Sequence, residues 1–141
     1  MFHPMANDDG ESVQRGGCDC RGVRYEVAGP LRDVYNCHCR RCRRITGHHM
    51  AATAVPPDRL TLIADTTLTW YDPTPEVHYG FCNGCGSTLF WKSDDAPEKF
   101  CIAAGTLDQP TGLRTTKAWW VSEAADYHER ATGLAEFAHD D

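Results

Sequence analysis

The chain has 141 residues, a net charge of −6 at neutral pH, 41% hydrophobic and 24% charged residues, and eight cysteines. Its length is one domain's worth at about 100–150 residues per domain, and its acidic balance argues against a general nucleic-acid binder, which would be basic. No apolar run approaches the roughly 18 residues of a membrane span, and the cysteine share stays below the roughly 8–10% of small secreted disulfide scaffolds.

Residues 1–14 include Asn7, Asp8, Asp9, Gly10, Glu11 and Ser12 and few apolar anchors, and read as a disordered tail. They contain no apolar leader segment, so a reducing, cytoplasmic compartment is expected, where cysteines bind metal or do chemistry more often than they pair. Residues 15–138 show no repeat or linker and read as one domain. His139-Asp140-Asp141 reads as a second tail.

The body is expected to be all-β. Val23, Tyr25 and Val27 alternate with Arg24 and Glu26, the period of a half-buried strand. Val34-Tyr35 leads into the first dense cysteine segment. Ala51 to Val55 reads as a strand ended by Pro56-Pro57. Leu60 and Leu62, Leu68 and Trp70, and Val77 and Tyr79 repeat the alternation, and Thr88–Trp91 and Phe100–Ala103 add two more strands. Gly29-Pro30, Asp72-Pro73, Asn83-Gly84 and Gln109-Pro110 mark turns between them. Arg40 to Thr46 is expected to form a short helix stopped by Gly47, and Ser122 to His128 another turn or two. Short strands in small sheets make a thin core, which an internal staple compensates.

The cysteines are the candidates for that staple. Cys18-Asp19-Cys20 is a C-x-C, Cys37-His38-Cys39-Arg40-Arg41-Cys42 a C-x-C-x2-C, and Cys82-Asn83-Gly84-Cys85-Gly86 a C-x2-C-G knuckle; Cys101 stands alone. In a knuckle the turn aims both thiolates at one ion, and the glycines permit the backbone this needs. Seven cysteines divide naturally as four plus three. Four ligands close a structural zinc site, whereas three leave a position for water or substrate. Spacing alone leaves a second pairing open, in which Cys39 and Cys42 join Cys82 and Cys85 as a long ribbon and Cys18, Cys20 and Cys37 are left over.

Four segments carry a resemblance: Gly17-Cys18-x-Cys20-x-Gly22-Val23-x-Tyr25, Cys37-His38-Cys39-x2-Cys42-Arg43, Gly80-Phe81-Cys82-x2-Cys85-Gly86-Ser87-x-Leu89-Phe90, and Ala104-Gly105-Thr106-Leu107-Asp108. Together they resemble the glutathione-dependent formaldehyde-activating enzyme family, to which centromere protein V is related. The resemblance runs from about Gly16 to Phe137. It implies a β-tent-like zinc fold and two zinc ions per chain. Cys18, Cys20, Cys82 and Cys85 match the structural zinc ligands, and Cys37, Cys39 and Cys42 match the ligands of an open, catalytic zinc. Cys101 stands where the family usually has an aliphatic residue, and is expected to pack as a small buried hydrophobe.

Arg40, Arg41, Arg43 and Arg44 surround the three-cysteine segment. Guanidinium groups there would stabilise sulfur charge and grip carboxylates such as the two of glutathione. His38 is a candidate partner of a zinc-bound sulfur or a proton carrier. His48 and His49 are candidate cleft residues. Trp119 and Trp120 read as core. Lys117 stands near the place of a family histidine, which leaves an inherited acid–base role there without its residue.

The implied activity is that of a carbon–sulfur lyase-type enzyme interconverting glutathione and formaldehyde with S-hydroxymethylglutathione. The alternative class is a non-catalytic zinc module or thiol carrier that binds a protein or nucleic-acid partner through the arginines. The expected partner is a small-molecule thiol such as glutathione, with no membrane and no general nucleic-acid affinity.

Overall fold

A computed structural model describes residues 5–6 and 12–141. The expected N-terminal tail therefore lies largely outside the described residues. Within them the structure corrects its boundary. Strand β1 (Met5–Ala6) pairs antiparallel with β2 (Ser12–Gly17), so Ser12 to Gln14 already belong to the fold. Gln14 is buried, and its side-chain amide donates to the Asp108 carbonyl at 2.6 Å.

The all-β expectation holds. A four-stranded antiparallel sheet runs β1-β2-β3-β6, with β3 at Arg24–Ala28 and β6 at Leu60–Ala64. The larger sheet has eight strands in the order β12-β11-β4-β5-β10-β9-β8-β7. Its members are β4 (Val34–Cys37), β5 (Met50–Val55), β7 (Leu68–Tyr71), β8 (Val77–Cys82), β9 (Thr88–Ser93), β10 (Phe100–Ala103), β11 (Thr115–Trp119) and β12 (Ala135–Glu136). It is mixed: β11 pairs parallel with both β4 and β12.

Alternation decides which face each strand buries. Val23, Tyr25 and Val27 have 0–1% exposure and pack with Val55, Leu89, Phe90, Ile102 and Leu107 between the two sheets. The aromatic centre of that core is Phe90, whose ring meets Tyr25 edge-on at 5.4 Å and lies 5.1 Å from Phe100. The Tyr25 hydroxyl is hydrogen-bonded to Thr106 Oγ1 at 2.8 Å. Leu60 and Leu62 follow the alternation only in part. Strand β6 is the edge of its sheet, and Leu62 and Ile63 remain exposed.

A second buried cluster occupies the opposite face of the large sheet. There Met50, Ala52, Ala54, Tyr79 and Cys101 pack with Cys42 of helix α1 (Arg40–Thr46). This helix has the expected bounds. Cys39 caps its start by accepting from the Cys42 N–H, and Gly47 ends it in a left-handed conformation (φ 81°) that a glycine adopts without strain. The second expected helix does not form. Ser122 to His128 contains only the end of a 3-10 turn, Val121–Glu123, entered from Trp120 with a left-handed backbone (φ 58°). The C-terminus is also not a loose tail: Trp120 N–H donates to the His139 carbonyl, the Trp120 and His139 rings lie 4.6 Å apart, and Lys117 pairs with Asp141.

His78 ties the β7–β8 turn to the end of β9, with Nδ1 2.6 Å from Asp72 Oδ1 and Nε2 3.0 Å from Asp94 Oδ1. Hydrogen bonding to Asp72, then to Asp94, raises its pKa above the ordinary histidine value. A raised folded-state pKa contributes stability that is complete below the unfolded value of about 6.5 and is lost as pH rises through the folded value. Wild-type protein is therefore expected to lose stability relative to His78→Gln as pH is raised upward from about 6.5, read by urea denaturation at stepped pH. For the core, Phe90→Ala is expected to cost about 3–5 kcal/mol, against less than about 0.5 kcal/mol for Ile63→Ala on the exposed edge. Equal urea midpoints for the two variants would contradict this placement of the core.

Candidate metal centres and cavity

All eight cysteines are free thiols, and seven of them gather into two groups. The first group joins the two sheets. Cys18 and Cys20 lie in the turn after β2, Cys82 ends β8, and Cys85 lies in the turn that follows. Their four sulfurs are within 4.8 Å of one another, with Cys18–Cys20 at 3.7 Å and Cys20–Cys82 at 3.6 Å. A tetrahedron with metal–sulfur bonds of about 2.3 Å has edges of about 3.8 Å, so these separations fit one zinc-sized ion.

Donors reach three of the four sulfurs, while at Cys20 the Gly22 N–H is outweighed by the sulfurs of Cys82 and Cys18, which push it up to about 12. The Val23 N–H donates to Cys18 Sγ at 3.2 Å and the Gly84 N–H to Cys82 Sγ at 3.3 Å. Hydroxyls of Thr67 and Ser87 lie 3.2 Å from the sulfurs of Cys82 and Cys85. The Thr67 hydroxyl lowers the Cys82 pKa, and the Ser87 hydroxyl, with its backbone N–H, brings Cys85 down to about 6. A Cβ at Gly84 would meet Cys20 Sγ at 3.4 Å and Cys82 Sγ at 3.6 Å, ordinary contact distances, so the glycine packs directly against the sulfurs. Gly86 turns the knuckle at φ 83° and donates to the Cys82 carbonyl at 2.8 Å.

The second group is Cys37, Cys39 and Cys42, again within 4.8 Å of one another. Strand β4 delivers Cys37, and α1 brings Cys42 back beneath Cys39, whose sulfur accepts the Cys42 N–H at 3.3 Å. Three thiolates this close repel, so protons are shared unevenly. Hydrogen bonds from Cys37, then Cys42, hold the Cys39 thiol down to about 2. Cys37 is pushed up to about 12, chiefly by its bond to Cys39. Cys42 is raised by Cys37, then Cys39. A divalent cation removes the conflict by replacing the shared protons. The Tyr79 hydroxyl lies 3.1 Å from Cys42 Sγ. Burial, and then that sulfur, raise the tyrosine's pKa and keep it a neutral hydroxyl.

These three cysteines open onto a cavity of about 500 Å³. Its floor is one face of the large sheet, where register sets Tyr35 opposite Ala52, Cys37 opposite Met50, and Trp91 opposite both Cys101 and Tyr79. Parallel pairing puts Trp119 beside Cys37, and the left-handed turn at Trp120 brings the next indole to the same wall. The tryptophans expected in the core thus line the cavity instead, and Cys101 is both buried and part of the lining. The rim carries Arg32, Arg40, Arg41 and Lys99, opposed by Glu123 and Asp140. Of the four expected arginines, Arg43 and Arg44 are not among the lining residues.

Arg32 and Lys99 were not expected from the sequence. Arg32 donates to the Ala52 carbonyl at 2.9 Å and stacks over Tyr35 at 3.7 Å. Lys99 Nζ lies 5.2 Å from the Trp119 ring centre. Neither has a sequence signal, because each reaches the rim through strand pairing with distant chain. His38 is not in the lining either. It is buried on the far side of the Cys37–Cys39 segment, 4.9 Å ring to ring from His49. His48 and His49 also lie outside the cavity lining, and Lys117 binds Asp141 and faces the Tyr35 ring at 4.8 Å.

A family model described as "Glutathione-dependent formaldehyde-activating enzyme" matches residues 13–123, well over half the chain. No curated protein matches. Among solved structures, a Rhodobacter sphaeroides protein superposes with a TM-score of 0.57 over 72% of this chain and 99% of its own, at 24% identity, which speaks for the fold. No helix among the described residues is long and apolar enough to cross a membrane. Both cysteine groups can hold metal, and their donors suit zinc.

The first group is expected to carry much of the folding free energy. Structural zinc contributes an apparent 10–16 kcal/mol or so in small domains, as much as a whole domain's typical stability of about 5–15 kcal/mol. Cys82→Ser is expected to lose one metal equivalent and most of its resistance to urea. Wild-type metal content and midpoint in that variant would refute the staple.

Proposed function

Because the chain belongs to the glutathione-dependent formaldehyde-activating enzyme family, we propose that it is a zinc-dependent carbon–sulfur lyase-type enzyme that forms and cleaves thiol–aldehyde adducts of the S-hydroxymethylglutathione kind. One observation carries the reading: Cys37, Cys39 and Cys42 converge on the wall of a 500 Å³ cavity whose rim is cationic. In this reading Cys18, Cys20, Cys82 and Cys85 would hold a structural zinc, Cys37, Cys39 and Cys42 a second with an open position, and a reducing cytoplasm keeps the cysteines from pairing as disulfides.

Zinc held by Cys37, Cys39 and Cys42 would supply a Lewis acid that lowers the pKa of a substrate thiol toward neutrality. The chain's own groups do the rest. Arg32, Arg40, Arg41 and Lys99 draw the carboxylates of a glutathione-like thiol to the rim, and Arg forks bind them in bidentate fashion. Trp91, Trp119 and Trp120 give the peptide backbone of the substrate a dry wall. The Tyr79 hydroxyl holds Cys42 in orientation. In the forward direction the thiol's sulfur bonds to the formaldehyde carbon, the carbonyl π-bond breaks onto oxygen, and the proton lost by the thiol ends on that oxygen. Cleavage reverses each change. Cavities of about 300–1,000 Å³ take ligands of this size.

The arginine cluster also raised a partner-binding module as the alternative. Arg40 and Arg41 of that cluster line the cavity beside the three cysteines, which supports the small-molecule reading.

Cys42→Ser is expected to abolish glutathione binding and S-hydroxymethylglutathione turnover. Lys99→Ala is expected to weaken glutathione binding about tenfold, the loss of one charge-assisted contact of roughly 1.4 kcal/mol. Calorimetric titration checks both. Wild-type affinity in Cys42→Ser would overturn the proposal.

A further inference from the structure

The Cys37-His38-Cys39 segment has two sides. Its sulfurs face the cavity, and His38 faces a group of imidazoles that the reaction does not use. His48 and His49 follow α1, and His128 comes from the C-terminal segment, beyond the residues that match the family model. One ring nitrogen from each of these three lies within 4.8 Å of the other two. Their ring centres are 4.3 Å (His48–His49), 4.5 Å (His48–His128) and 5.6 Å (His49–His128) apart. Imidazoles bound at about 2.0–2.1 Å to one tetrahedral ion have ring centres about 5 Å apart, so the packing brackets that of a shared ion.

Hydrogen bonding gives an independent sign. Packed histidines normally satisfy their ring nitrogens. Here His49 Nδ1 is buried with no hydrogen-bond partner, and so is Nε2 of His38, whose residue is only 3% exposed and whose ring lies 4.9 Å from that of His49. His48 Nδ1 does have a partner, the Tyr127 hydroxyl at 2.6 Å. That is the outer contact that orients a ligating imidazole when its other nitrogen faces the ion.

We propose that His48, His49 and His128 form a third metal site, distinct from both cysteine groups, for a first-row divalent transition metal such as zinc, with Tyr127 as its orienting partner. Three imidazoles suit zinc, copper, nickel or iron, and they leave a coordination position open to water or an external ligand. The site goes beyond the proposed thiol chemistry and does not depend on it, since none of its ligands lines the thiolate cavity.

The test is zinc stoichiometry on the full chain already loaded at its cysteines. Zinc alone is titrated by calorimetry, and bound metal is counted after gel filtration. Wild type is expected to hold one more zinc per chain than His128→Gln, while both proteins keep the same thiolate-to-metal charge-transfer band on cobalt substitution, which reports the cysteine sites and an intact fold. Tyr127→Phe is expected to weaken the additional equivalent by about 10–100-fold. Equal stoichiometry in wild type and His128→Gln, with the cobalt band intact in both, would overturn the site. A failed glutathione titration with the extra zinc still present would sink only the thiol reading.

Discussion

Everything in this fold depends on one long-range contact, the meeting of Cys18 and Cys20 with Cys82 and Cys85. The two pairs belong to different sheets, and the sequence separation closed by the Cys20–Cys82 contact is 62 residues. Closing a loop of that length costs entropy that grows only logarithmically with length, so one strong cross-link can offset it. Around this point the sheets are tied by weaker links: the Gly16–Leu107 bridge, the Asp108 N–H to the Arg15 carbonyl, and the Gln14 amide to Asp108. The apolar core between the sheets is narrow and centred on Phe90 and Tyr25. A metal ion held by these four sulfurs would therefore couple metal affinity to folding.

That staple leaves the far face of the large sheet free for chemistry. Parallel pairing of β11 with β4 is the second decision of the topology. It brings Trp119 and Trp120 alongside Cys37 and returns the C-terminal residues to the same edge. The cavity floor is thus a sheet face, with α1 contributing Arg40, Arg41 and Cys42 to its lining and the connecting segments before β4 and β10 contributing Arg32 and Lys99. The same edge carries the imidazole group on its other side, so one short cysteine-bearing segment divides two polar clusters of different donor chemistry.

Local features were legible in the sequence wherever one element alone decides them. Val23, Tyr25 and Val27 announce a buried face, Gly47 announces a helix end, and the knuckle glycines announce a paired-thiol turn. The four-plus-three division was suggested by spacing and specified by the resemblance, and the gathering of sulfurs in space agrees with it. What could not be read depends on pairing between distant segments. Strand β11, Thr115 to Trp119, lacks clean alternation because its neighbours lie on both sides and run parallel. Arg32 and Lys99 look like ordinary surface cations until β4, β5 and β10 are aligned. His128 is 80 residues from His48, and no local pattern links them. Ser122 to His128 has helical composition, but the left-handed backbone of Trp120 and the return of the chain to the sheet edge leave room for a single turn.

Three of the chain's four tryptophans, Trp91, Trp119 and Trp120, line one cavity, and the fourth, Trp70, stacks at 6.3 Å on Phe90 in the core between the sheets. The molecule therefore carries its own optical reporter. Three of its four indoles stand where an occupant, an ionised sulfur or a cation would meet them, so filling the cavity is expected to change the emitted light, with Trp70 on the other side of the sheet left unaltered.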